Sequence, residues 1–90
     1  MAECKQVMYD ILDGLEPTAF KRFKSLLSEG VEDYDPIPKG HVAQADATAV
    51  ADKMVEVYDY EDAVKVSIAI LRMLPRNDLA NRLEEALQDD

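Results

Sequence analysis

Apolar residues along this chain fall in blocks at the three- and four-residue spacing of an α-helix, and prolines and glycines stand between the blocks. Val7, Met8, Ile11, Leu12 and Leu15 make the first stripe, on one face of a 3.6-residue turn. Glu3, Gln6, Asp10 and Asp13 fall on the other side. Gly14 lies near the end of this segment. Pro17 suits the first turn of a second helix, where its missing N–H costs nothing, with Glu16 in the cap position. That helix is expected from Pro17 to Glu29, turning Phe20, Phe23, Leu26 and Leu27 inward, with Gly30 as its stop. Pro36 and Pro38 forbid a regular helix in the acidic segment 31–38. Ile37, between them, reads as an apolar anchor for that loop.

After Gly40 the spacing predicts a short helical turn from His41 to Ala45. Asp46 then caps a helix containing Val50, Met54, Val57 and Tyr58. Asp59 is expected to cap the next segment, with Asp62 in its first turn. Ala63 to Leu74 is apolar around most of its circumference, the pattern of a central, buried helix. Pro75 ends it, and Asn77 caps a last amphipathic helix with Leu79, Leu83, Ala86 and Leu87 inward. Met8, Met54 and Met73 fall on apolar stripes and are expected in the core. Six helices result, one very short, with no strand signal and no internal repeat. Ninety residues make one small domain, residues 1–90, whose amphipathic segments must share a single core.

The chain carries 10 Lys and Arg against 19 Asp and Glu, a formal net charge of -9. That balance argues against a general nucleic-acid binder, which needs an excess of Lys and Arg, and against anionic membranes. The apolar run at Ala69-Ile70-Leu71 is far too short to span a bilayer, and residues 1–5 lack a signal-type apolar stretch. With Cys4 as its only cysteine, the chain has no internal disulfide, and a cytoplasmic setting is expected. Lys5 beside Cys4 lowers the thiol pKa little, and an inert thiol is expected there.

No cofactor or metal site is legible. A calcium loop starting at Asp33 needs Gly in its sixth position and Glu in its twelfth, where this chain has Pro38 and Gln44. His41 is the only histidine, and no Gly-x-Ser-x-Gly turn presents a nucleophile. A Gly-rich phosphate loop is also missing. These observations together argue against an enzyme.

Against this acidic background Lys21, Arg22 and Lys24 form a dense basic patch. With Phe20 and Phe23 inward, Lys21 and Arg22 face out, while Asp10 and Asp13 lie opposite the apolar stripe of the first helix. A basic patch on one face and an acidic patch on another make a heterologous pairing, which propagates into a ring or an open helix.

Leu12-x-x-Leu15, Phe20-Lys21-Arg22-Phe23-Lys24 and Ile37-Pro38-Lys39-Gly40, in this order and spacing, resemble a pyrin domain, a branch of the death-domain superfamily. Asp52-Lys53-Met54-Val55 and Ile70-Leu71-Arg72 are weaker matches. The resemblance covers essentially the whole chain. It implies an all-α fold, an antiparallel six-helix bundle with a short third helix. It also implies a non-catalytic module of innate immunity that binds other pyrin domains, itself or an adaptor, and joins helical filaments in inflammasome signalling. By position, the acidic interface is Asp10, Asp13, Asp46 and Asp52, and the basic interface is Lys21, Arg22 and Lys39. Gln6 and Glu16 depart from the family pattern, which often has an acidic residue and a hydroxyl cap there. The parent is expected to be a sensor, an adaptor, a caspase-like protease or a free-standing regulator. A pyrin-only decoy that caps assembly needs the same two faces. A reading from another class, a small acidic helical carrier, requires an Asp-Ser-Leu type attachment serine at a helix start, and the chain has none.

Overall fold

The computed structural model describes the backbone of residues 2–31 and 34–89 and the side chains of 6–31 and 34–88. The readings that rest on Glu3, Cys4, Lys5, Glu32 and Asp33 lie outside those side chains. Five helices follow one another: α1 Ala2–Gly14, α2 Pro17–Glu29, α3 Lys39–Val42, α4 Ala47–Met73 and α5 Asn77–Asp89. Among the described residues there is no strand, only a single antiparallel bridge between Val31 and Tyr34. α4 is the spine: it packs along both α1 and α5, which also touch each other, while α2 rests on α3 and α4. No helix among the described residues is long and apolar enough to cross a membrane.

The six expected segments are present: α4 comprises the expected fourth and fifth helices, which meet at a kink, and the short third helix lies at Lys39–Val42 rather than His41–Ala45. Asp59 interrupts α4 with φ 69 and ψ 168, the one non-glycine with positive φ among the described residues. The break occurs at the position where the sequence places a cap. Asp46 caps α4 as expected, its Oδ1 accepting from the Ala49 N–H at 2.9 Å. Glu16 stands at the N-cap of α2 without a side-chain cap bond. The first bond of α5 runs from Ala80 N–H to the Arg76 carbonyl, so Arg76, not Asn77, takes the cap position.

The core is built by the expected stripes. Met8, Leu12, Phe23, Leu27, Ile37, Met54, Ile70, Leu71 and Leu83 are fully buried. Two apolar residues depart from the pattern: Val57 is 44% and Met73 45% exposed. Both sit near the end of a helical segment, Val57 just before the bend at Asp59 and Met73 as the last residue of α4. There the periodic stripe runs past the edge of its neighbours. Ser67 is the buried polar residue of α4. Its hydroxyl donates to the Ala63 carbonyl one turn earlier at 2.9 Å, which satisfies it locally.

The loop after α2 is held at several points. Gly30 ends α2 with φ 99, its N–H bonded to the Leu26 carbonyl, and the Pro36 ring lies 3.6 Å from where a Cβ would stand. The Ile37 N–H donates to the Leu27 carbonyl at 3.0 Å, with the Ile37 side chain in the core. Tyr58 closes the other side: its hydroxyl donates to the Asp35 carbonyl at 2.5 Å, and its ring meets Tyr34 edge-on at 5.7 Å.

Burial first, and the Asp35 charge second, raise the Tyr58 pKa above the ordinary tyrosine value. The folded state thus favours the protonated phenol. Its contribution is complete below the unfolded value near 10 and is lost as pH rises through the higher folded value. We expect the urea midpoint to fall from about pH 10 upward in the parent protein. Tyr58→Phe should cost about 1 kcal/mol at neutral pH and flatten the alkaline fall. An unchanged alkaline profile in that variant would remove Tyr58 as its source.

Candidate protein-binding faces

α2 and α3 carry the positive charge. Burying Phe23 and Leu27 fixes the rotation of α2, which leaves Lys21 and Arg22 exposed. Lys39 opens α3 and is exposed as well. Lys21, Lys24 and Lys39 line one recess of about 110 Å³ between the two helices, with Ser25, Val42 and Ala43. Arg22 does not line it. Among the described residues no carboxylate lies in ion-pair contact with Lys21, Arg22 or Lys39.

Lys24 has a different role from its neighbours. Its ammonium donates to the carbonyls of Ala43 at 3.0 Å and Ala45 at 3.3 Å, and it lies 4.7 Å from the centre of the Phe20 ring. It fastens α2 to the turn between α3 and α4, and no motif in the sequence marks that role. The Phe20–Lys24 spacing, one helical turn, is the only legible hint.

The acidic side is built on α1 and the first half of α4. Asp10 and Asp13, three residues apart on α1, are both exposed, and Asp10 accepts from the Gln6 amide at 3.0 Å. Gln6, the residue that departs from the acidic pattern, therefore supports the Asp10 carboxylate. Asp52 is exposed on α4 and accepts from the Tyr9 hydroxyl at 2.5 Å. That bond sets Asp52 against α1, a cross-helix contact that spacing along either helix does not reveal.

Asp46 stands apart from these three. It lies at the head of α4 with one carboxylate oxygen engaged by the Ala49 N–H, beside the turn that Lys24 holds. Six residues of helix rotate it about 120° from Asp52.

A further pair, Arg76 and Asp78, lies at the start of α5, Arg76 Nε 3.3 Å from Asp78 Oδ1. The hydrogen bond holds the Asp78 carboxyl below and the Arg76 guanidinium above their ordinary values. Glu16 adds a smaller share to the Arg76 shift, so the residue that fails to cap α2 contributes to the field around this pair. Among the described residues no group of His, Cys, Asp and Glu is arranged to hold a metal ion.

The chain has counterparts among known proteins. The family model of the PAAD/DAPIN/Pyrin domain matches residues 8–81. Caspase b of Danio rerio is 35% identical over 88 residues, which cover 97% of this chain and 22% of that protein. Human Pyrin domain-containing protein 1 is 33% identical over 89 residues, covering 96% of this chain and 99% of that protein. The solution structure of the pyrin domain of human Pyrin superposes with a TM-score of 0.84 at 25% identity, over 97% of this chain and 99% of that domain. The chain spans 22% or less of the length of the first curated relatives it matches. With a family match across most of its length and the same arrangement of helices as a solved member, the chain belongs to the pyrin domain family, death-fold modules for protein interaction and not catalysts.

Proposed function

We propose that this domain binds other pyrin domains in the cytosol by setting its acidic α1/α4 side against a basic α2/α3 side. Because the two sides differ, each bound copy offers a fresh one. The pairing then extends into a helical filament that gathers partners in inflammasome signalling. The observation that carries this reading is the exposed cluster of Lys21, Arg22 and Lys39, without a carboxylate partner among the described residues, on a molecule of net charge -9. Asp10, Asp13 and Asp52 supply the opposite sign from α1 and α4, with Asp46 at their margin. Exposed ion pairs contribute about 0–1 kcal/mol each, so the interface needs several, and it weakens with salt.

The test is association of the purified domain, followed by light scattering and negative-stain microscopy from low to physiological salt. Lys21→Glu replaces attraction with repulsion and should cost about 1–2 kcal/mol per interface, a loss of roughly 5- to 30-fold in apparent affinity. Asp13→Lys should do the same from the other side, with helicity unchanged in both. Mixing the two variants should restore pairing, since each keeps one intact side and the two altered sides carry opposite charges. Filaments from Lys21→Glu equal to those of the parent would remove Lys21 from the interface. A parent protein that stays monomeric at low salt would overturn autonomous polymerisation.

A further inference from the structure

We propose that the recess between α2 and α3 is a binding site for a small soluble phosphate-type anion, and that its occupation competes with the acidic side of another copy. The competition rests on the homotypic pairing proposed above; the anion site itself does not. Lys21, Lys24 and Lys39 line this recess together with Ser25, Val42 and Ala43. These are three of the 10 cationic side chains in the molecule, gathered around about 110 Å³. By the same measure one water requires on the order of 10–15 Å³. The recess therefore admits several waters or one tetrahedral oxyanion, and it is too small for a folded segment.

The site is partly organised in advance. Lys24 is held by the Ala43 and Ala45 carbonyls and the Phe20 ring, so its charge is fixed beside the recess before any ligand arrives. Lys21 and Lys39 have no carboxylate partner among the described residues and are free to close over an anion. Charge-assisted bonds of this kind are the stronger class of hydrogen bond.

The molecule's overall charge selects the source of the phosphate. An extended anionic surface, such as a membrane or a nucleic-acid backbone, faces the whole molecule and is opposed by its net charge of -9. A small anion inside the recess lies within a few ångströms of the lysines, and screening reduces the repulsion from more distant carboxylates. A soluble phosphomonoester or diphosphate is therefore the favoured ligand.

Pyrophosphate and inorganic phosphate are the probes, titrated against sodium chloride at matched ionic strength. Amide shifts are mapped on Asp13→Lys, whose recess is untouched and whose acidic side is disabled, and calorimetry is run on the parent protein. Saturable shifts confined to residues 21–25 and 39–43 are expected, with affinity about five-fold weaker in Lys39→Gln. Shifts spread over the surface and matched by chloride would overturn the site. Tighter binding to phosphatidylserine vesicles than to pyrophosphate would overturn the choice of a soluble ligand. In the second arm, pyrophosphate at constant ionic strength should slow association of the parent protein. Saturated shifts with unaltered association would overturn the competition. Failure to associate without any anion would count against the proposed function alone.

Discussion

Phe23→Ala lowers the melting temperature by at least about 12 °C and leaves the charged surface intact. Phe23 is fully buried between Arg22 and Lys24 in sequence, so one residue carries the core contact while its neighbours carry charge. Truncating a buried phenylalanine costs about 3–5 kcal/mol, the transfer free energy plus the cavity left behind. A domain of this size has a total stability on the order of 5–15 kcal/mol. The variant therefore loses a large share of it, and each kcal/mol shifts the midpoint by about 4–8 °C. Calorimetry checks the value. A shift below about 5 °C with an unchanged unfolding enthalpy would show that the core closes over the site without this ring. Binding lost in Phe23→Ala and recovered on cooling would mark a folding effect, distinct from the charge reversals at Lys21 and Asp13.

The second large effect is expected at Ile37. Its side chain is fully buried, and its backbone is tied to α2 through the Leu27 carbonyl. Ile37→Ala leaves the backbone bond available and removes only the anchor, at a cost of about 2–5 kcal/mol, whereas Ile37→Val should cost about 0.5–1.5 kcal/mol. Because the loop is held locally, the loss should be visible before global unfolding. Limited proteolysis under native conditions should cut the segment 31–38 faster in Ile37→Ala, in step with a lower urea midpoint. Cleavage at the parent rate with a normal midpoint would show that Pro36, Gly30 and Tyr58 hold the loop without it.

Much of this architecture was legible because helical burial is a local, periodic property. Phe23, Leu27, Ile70 and Leu83 repeat at helical spacing, and the structure buries them. Pro17 and Pro75 mark ends because proline lacks an N–H and restricts the backbone, and Gly30 because glycine alone readily takes the positive φ found there. The periodic signal fails at the ends of stripes, where Val57 and Met73 are left nearly half exposed. The break inside α4 was legible too, because Asp59, expected as a cap, is where the backbone leaves helical φ/ψ. The exposed charges Lys21, Arg22, Asp10 and Asp13 followed from the inward residues beside them. Contacts between distant segments did not: Tyr9 with Asp52, Tyr58 with the Asp35 carbonyl, and Lys24 with the α3–α4 turn each cross a large sequence separation.

The tethered ammonium of Lys24 changes how an alanine scan of the basic helix must be interpreted. Loss of Lys21 or Arg22 removes charge that a partner can meet, so the deficit should shrink as salt rises and screening erases the difference. Loss of Lys24 releases two backbone carbonyls and loosens α3, so its deficit should persist at high ionic strength. An arginine in its place keeps the charge but not the compact ammonium that fits between two carbonyls and a ring. Two basic positions on one helix would then give the same loss at one salt concentration and part company across a range of them, one fading and the other holding.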